Sequence, residues 1–229
     1  LAYPNGYRSA TQFNNAVYDH PSEFAVVATE PSTTVTITPS VEVNGRPNRD
    51  PITVVLDAGD VYFVQANTGR PGDVTGTIVE ADAPVALFSG NRRTSIPTSV
   101  GNFRDLLVEQ MPPLESWGSS VILAPFVAIN SIDLGYDPVA RVVALEEATT
   151  WRRNGIEQPP LAAGRPIELV LTEDPEHIEA DGPILVAQYE HSVGEISQNA
   201  FGLGDPFMTI IPPITQFDTV YSFQSIPDT

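Results

Sequence analysis

The chain has 229 residues, a hydrophobic fraction of 41% and a formal net charge of −18, which indicate a folded, acidic protein. The charge excludes nucleic acid and anionic lipid as partners, since both require Lys and Arg to neutralise phosphate. All basic residues are arginine and cysteine is absent, which excludes Schiff-base and thiol chemistry, disulfides and Cys-ligated zinc.

Short β-branched runs separated by Pro, Gly and Asn turns follow a polar arm at residues 1–21. Such runs predict strands, because branched side chains fit a pleated surface. Short strands interrupted this often are typical of antiparallel sandwiches. The strands predicted in this part are Glu23–Thr29, Thr33–Thr38, Ile52–Leu56, Val61–Gln65, Gly76–Glu80 and Val85–Ser89.

The middle of the chain carries the segment Leu107–Gly118, with the sequence LVEQMPPLESWG. Leu106–Gln110 predicts a strand, and the following Pro-Pro pair ends its pairing because proline donates no ladder hydrogen bond. Ser119–Phe126 is predicted as the next strand. We expect Trp117, just past the Pro-Pro joint, to be mostly buried where two lobes meet.

Several patterns of the first half recur in the same order in the second half. The longest is Val26–Val35, which returns as Val142–Trp151 with V-V-A-x-E-x-x-T-T in common. A matching order, with length changes only in loops, indicates an internal duplication of about a hundred residues per copy. The other matches are Asn44-Gly45 with Asn154-Gly155, Leu56–Gly59 with Leu161–Gly164, Glu80–Val85 with Glu179–Ile184, and Leu107–Gly118 with Phe207–Phe217.

The segment 139–148 has good helix propensity taken alone. Its match in the first copy carries Pro31, which a helix interior does not accept. Since both copies should share one fold, residues 139–146 are predicted as a strand.

The expected fold class is therefore all-β, with two tandem, internally duplicated antiparallel β-sandwich-like lobes. A propeller-like arrangement of the same strands is the alternative. The expected boundaries are an N-terminal arm at 1–21, lobe 1 at 22–105, a junction strand and Pro-Pro joint at 106–118, lobe 2 at 119–211, and a C-terminal strand at 212–229 that opens a third repeat.

The C-terminal segment alternates, with Phe217, Thr219, Tyr221 and Phe223 on one face. This period predicts a strand with one buried face. We expect Thr215–Ser225 to be β-paired with both phenylalanines buried. The partner strand lies either in the same chain or in a neighbouring subunit, joined by strand addition.

Parts of the chain resemble the N-terminal domain family of the IgGFc-binding protein. The resemblance implies an extracellular, non-catalytic, β-rich module of a larger adhesive or mucus-like protein. Relatives often carry a cysteine pair where this chain has Arg93 and Arg104, so a bacterial surface protein is expected and Fc binding is not carried over. The stretches that resemble the family are Leu56–Tyr62, Asp73–Asn91, Leu107–Gly118 and Pro183–Tyr189.

Arg92, Arg93 and Arg104, with Asn91 beside them, concentrate positive charge in this acidic sequence. One interpretation is ion pairing with neighbouring carboxylates. The functional interpretation is a ligand-binding site for a carboxylate or sulfate on a glycan or protein, because guanidinium groups bind such anions in a bidentate manner.

No catalytic residue is predicted. His20, His177 and His191 lack metal-ligand spacing. The carboxylate pair Glu179/Asp181 recurs in the first copy, and an active site rarely needs to exist twice. No cofactor or metal is expected, although calcium in the loop Ile132–Asp137 is a weak alternative.

The expected function is thus binding or cell adhesion at an extracellular surface, with a protein or glycan partner and no nucleic acid or membrane insertion. Since the chain begins at Leu1 rather than Met, we expect a processed product or part of a larger protein. The alternative is a structural subunit of an extracellular filament or sheath that self-associates by β-strand addition through residues 214–225. An acidic secreted hydrolase is a third, weaker alternative.

Overall fold

The structure is a computed structural model, and it describes residues 20–67, 72–96, 104–126, 138–190 and 206–222. Regular structure in these ranges consists of β-strands and two 3₁₀ turns, without an α-helix. All strand pairs between neighbours are antiparallel, so the predicted all-β antiparallel class is confirmed. In the same ranges, no helix is long and apolar enough to cross a membrane.

The first half forms two sheets around one core. A four-stranded sheet has the order β4-β1-β6-β7, and a three-stranded sheet has the order β3-β2-β5. Alternate residues Phe24 and Val26 of β1 pack with Val35 and Ile37 of β2 in this core, as the period of two requires. The strands are β1 (Glu23–Ala28), β2 (Thr33–Thr38), β3 (Ile52–Leu56), β4 (Val61–Gln65), β5 (Ile78–Ala81), β6 (Val85–Thr94) and β7 (Asp105–Gln110).

The second half forms one seven-stranded sheet organised around its longest strand, β13. The N-terminal part of β13 pairs with β8 and β10, and its C-terminal part pairs with β9 and β14. Trp151, Ile178 and Val186 lie in the core that this sheet encloses. The strands are β8 (Gly118–Leu123), β9 (Val139–Ala144), β10 (Thr149–Arg153), β11 (Ile156–Leu161), β12 (Ile167–Val170), β13 (Glu176–Tyr189) and β14 (Met208–Ile211). The predicted strand at residues 139–146 is confirmed over 139–144.

The pairing registers of the two halves correspond. Val26 lies opposite Leu87, and Val142, its match in the sequence repeat, lies opposite Val186. These correspondences support the duplication, which remains our interpretation of the sequence. Left-handed backbone positions recur as matched pairs too: Ser32 with Ala148, Asn44 with Asn154, Gly45 with Gly155, and Gly59 with Gly164.

The region between the halves differs in part from the prediction. The predicted junction strand is β7, and it forms the edge of the first sheet by pairing with β6. A 3₁₀ turn at Leu114–Ser116 follows the Pro-Pro joint, and a second one at Ile214–Gln216 follows the second Pro-Pro pair. Pro113 and Pro213 are both extended, so each pair acts as the stiff joint that the sequence predicts.

The predicted strand over Thr215–Ser225 is wrong in its described part. No strand forms between residues 212 and 222, and Phe217 and Tyr221 are exposed. The physical reason is the lack of a partner: β8, which follows the first 3₁₀ turn, pairs with β13, whereas no described strand pairs with the segment after the second turn. Phe223, the arm before residue 20, the loop 132–137 and His191 lie outside the described residues.

The two halves share a third core. Ile96, Leu107 and Met111 of the first half pack against Leu185 and Tyr189 of the second, with Val139, Ala187 and Met208 in the same cluster. Trp117 packs against this cluster and is partly buried, as its position beside the joint predicts. Its indole N–H is buried without an acceptor.

An ion pair also bridges the halves. The Arg141 guanidinium lies 2.6 Å from the Asp73 carboxylate, and both groups are largely buried. Burial lowers the pKa of Arg141, but Asp73, Tyr189 and Glu168 together outweigh this effect and hold the pKa above its ordinary value.

Candidate functional site

The predicted arginine residues meet where β6 ends and β7 begins. Asn91 lies opposite Leu107 and Thr94 lies opposite Asp105, so Arg92 and Arg93 face a single residue of β7. This two-against-one arrangement is a β-bulge, which turns side chains away from the regular alternation. Both arginines are exposed as a result. We call Arg92, Arg93 and Arg104 the arginine corner.

A glycine allows the two strands to meet at this point. A Cβ added to Gly90 would lie 1.8 Å from the carbonyl oxygen of Leu107. Such a contact is far below van der Waals distance, so any side chain would push β7 away from β6. The Ser-Gly-Asn sequence before the arginines is therefore a structural requirement of the bulge.

Asn91 fixes the backbone of the arginine corner through hydrogen bonds of its side chain. Its side chain is fully buried, and its amide nitrogen donates to the carbonyl oxygen of His20 at 2.9 Å. Its amide oxygen accepts a hydrogen bond from the backbone N–H of Arg93, also at 2.9 Å. Asn91 thus positions the bulge, and the residues that a ligand could reach are the arginines.

The electrostatics of the corner favour an anion. Burial, together with repulsion from Arg93, holds the pKa of Arg104 below its ordinary value. Arg92 donates to the imidazole Nδ1 of His20 at 3.4 Å. Ion pairs among the described residues occur at Arg46, Arg141 and Arg153, and none of them involves Arg92 or Arg93. The predicted ion-pairing interpretation is therefore not seen for these two arginines within the described ranges.

The carboxylates that recur in both halves accept hydrogen bonds from the backbone at turns. Asp82 accepts the backbone N–H of Thr34 at 2.7 Å, and Asp181 accepts the matching N–H of Thr150 at 2.9 Å. The bond from Thr34 lowers the pKa of Asp82. Asp181 also borders an open groove of about 380 Å³ with Glu157 and Glu179, but its carboxylate is held by the backbone and hydroxyl of Thr150. These aspartates stabilise the strand entries in both halves.

Another carboxylate is buried in an ion pair. Glu176 is buried and accepts hydrogen bonds from the Arg153 guanidinium, one of them at 2.6 Å. Burial raises the pKa of Glu176, but the bonds from Arg153 and Thr172 outweigh it and hold the pKa below its ordinary value. Across the described part of the chain, no group of three or more His, Asp or Glu side chains could hold a metal ion.

Sequence reasoning missed an exposed apolar surface on the first sheet. Phe63 of β4, Phe88 of β6 and Val108 of β7 all point away from the core and into solvent. The signal was present, because V-Y-F-V in β4 and F-A-V-V-A in β1 are apolar at every position instead of alternating with polar residues. Continuous apolar runs indicate strands with partners on both faces.

These features define an all-β protein with an exposed arginine corner and an exposed apolar surface. Both surfaces suit binding. The IgGFc binding protein family matches residues 2–229, so the whole chain belongs to that family. It is a family of binding proteins, not of enzymes, and it suggests an extracellular binding module. No curated protein and no solved structure matches the chain.

Proposed function

We propose that the protein is a non-catalytic adhesion or ligand-binding module that acts at an extracellular surface as part of a larger protein. Membership of a binding-protein family supports the binding role. The observation that carries the choice of site is the arginine corner, in which a β-bulge leaves two consecutive arginines exposed.

The proposed ligand group is a carboxylate or sulfate on a glycan or protein. The rest of the chain is strongly acidic, with a formal net charge of −18, so an anionic ligand approaches favourably only where arginines are concentrated. A bound anion would also relieve the repulsion between Arg93 and Arg104. Two neighbouring guanidinium groups can each offer a pair of parallel N–H donors to such an anion.

Binding of sulfated and sialylated oligosaccharides, together with a panel of extracellular proteins that includes the IgG Fc fragment, tests the proposal. We expect Arg92→Gln combined with Arg93→Gln to weaken binding of the anionic ligand at least about tenfold, which corresponds to about 1.4 kcal/mol. The matched control is Arg46→Gln combined with Arg49→Gln, which removes the same charge from another exposed site.

The control should keep its affinity for the ligand. An equal loss in both double variants would show that only net charge matters and would contradict a specific site. Failure of the unmodified chain to bind any anionic member of the panel would refute the proposed ligand class.

A further inference from the structure

The first sheet has a broad apolar face that nothing in the described chain covers. Neighbouring residues across the strands, such as Phe63, Ala25 and Phe88, lie opposite one another in register and share this face. Phe63 is 51% exposed and Val61 is 59% exposed. A contiguous apolar patch of this kind is rare on a monomer and marks an interaction site. We call it the outer face: Ala25, Val27, Val61, Phe63, Ala86, Phe88, Leu106 and Val108.

Most of the matching face of the second half is buried. By register, Arg141 and Val143 of β9 stand where Ala25 and Val27 stand in β1. Both are buried, as are Leu185, Ala187 and Met208 at the positions of Ala86, Phe88 and Val108. Glu168, at the position of Phe63, is exposed at the margin of this face. The cover comes from the first half, through Leu107 and Met111 of the core that the halves share, with Trp117 packed against it.

The surface that provides this cover also has a counterpart, which lies in the second half. Phe207, Ile211 and Phe217 occupy in the second half the positions of Leu107, Met111 and Trp117. Leu107 is buried against the second half, whereas Phe207 is 44% exposed and Phe217 is 50% exposed. We call Phe207, Ile211 and Phe217, with the exposed Val220 and Tyr221 beside them, the C-terminal surface.

In the described residues, counterparts of both sides of the internal interface are therefore exposed. We propose that the C-terminal surface of one copy packs on the outer face of a second copy and repeats the contact between the halves. Because the two surfaces differ, the contact is heterologous, and it extends head to tail instead of closing as a symmetric dimer. This assembly uses sheet faces, not strand addition, and is independent of the arginine corner.

The charges at the outer face fit this partner. Inside the chain the contact includes the buried pair Arg141–Asp73. By the pairing registers of β1 and β9, the outer face has Ala25 at the position of Arg141. A second copy that packs there therefore buries no guanidinium that lacks a counter-charge.

The test is association of the 229-residue chain measured by sedimentation velocity over a range of concentrations. The formal net charge of −18 opposes contact between copies, so we expect oligomers to increase with added salt, which screens that repulsion. Phe88→Glu on the outer face, at the position of the buried Ala187, and Phe217→Glu on the C-terminal surface should each weaken self-association at least about tenfold. Val55→Glu, at an exposed position on β3, is the matched control and should associate like the unmodified chain.

Mixing the two variants gives the decisive result. The Phe88→Glu chain keeps its C-terminal surface and the Phe217→Glu chain keeps its outer face, so together they form one intact contact. We expect a one-to-one dimer that does not grow further. A mixture that stays monomeric, a chain that remains monomeric at all concentrations and salt levels, or an effect of only one of the two variants would overturn the proposal.

Discussion

Removing the charge of Asp73 should destabilise the protein more than removing its partner. Asp73→Asn keeps the shape of the side chain and its acceptor for the backbone N–H of Thr75. It removes the ion-pair partner of the Arg141 guanidinium, which stays buried at 5% exposure. Burial alone lowers the pKa of Arg141, and Asp73 is the first of the groups that offset this effect.

The magnitude follows from the difference in burial between the partners. Breaking a buried ion pair costs about 3–5 kcal/mol, and we expect Asp73→Asn at the lower end because the amide oxygen can still accept a hydrogen bond. Arg141→Met should cost less, because the Asp73 carboxylate is the more exposed partner, at 14% against 6%, and can recover water. The double variant removes both charges from the interface between the halves and should cost less than the sum of the two single changes.

Urea unfolding of the four proteins gives this double-mutant cycle directly. The expected order of destabilisation is Asp73→Asn, then Arg141→Met, with a coupling energy above about 0.5 kcal/mol. Additive losses, or a larger loss for Arg141→Met than for Asp73→Asn, would contradict the reasoning from burial.

Three further substitutions test the cores and turns. Gly76→Ala should lower the melting temperature strongly, because φ is +86° and the new Cβ would lie 2.2 Å from the carbonyl oxygen of Gly164. The control is Gly45→Ala, which has a φ of +76° but open space around the new Cβ, so it measures the backbone strain without the steric clash. Trp151→Ala should cost about 3–5 kcal/mol in urea unfolding, whereas Trp151→Phe should cost only about 1 kcal/mol for its lost N–H bond. Glu176 has a lowered pKa in the folded state, so its stabilisation is present above the unfolded carboxyl pKa and disappears as pH falls through the folded value. Glu176→Gln should therefore remove part of the fall in stability on acidification, and an unchanged pH profile would contradict this ion pair.

The strands could be predicted because their signals are local. β-branched runs bounded by turn residues appear in the sequence at Thr33–Thr38 and Ile52–Leu56, and the structure has the same bounds. Helix propensity alone would have given the wrong prediction for residues 139–144. The match with a first-copy segment that contains Pro31, which a helix interior does not accept, was sufficient to predict a strand. The alternation of apolar and polar residues after Ile214 was misleading. Such alternation shows that a segment can fit into a sheet, but it does not show that a partner strand is present.

The candidate site was predictable only as a set of charges. The sequence places Arg92 and Arg93 near each other, but the bulge that exposes both depends on the register between β6 and β7. The burial of Asn91 has the same origin, since its partner His20 lies far away in the chain. A residue pattern can locate such groups, whereas register between distant strands decides which of them reach solvent.

The buried ion pair gives the proposed head-to-tail assembly its direction. A C-terminal surface from another copy that displaced the first half would remove Asp73 from Arg141, so the buried guanidinium would lose its ion pair. The cost of about 3–5 kcal/mol for such a charge exceeds the gain from burying one more large apolar side chain, about 1.5–3 kcal/mol. The outer face of the first half carries Ala25 at this position and imposes no such cost. We infer that Arg141 excludes exchange of the two halves between copies, so that apolar contacts provide attraction at both interfaces while a single charge determines which surfaces meet.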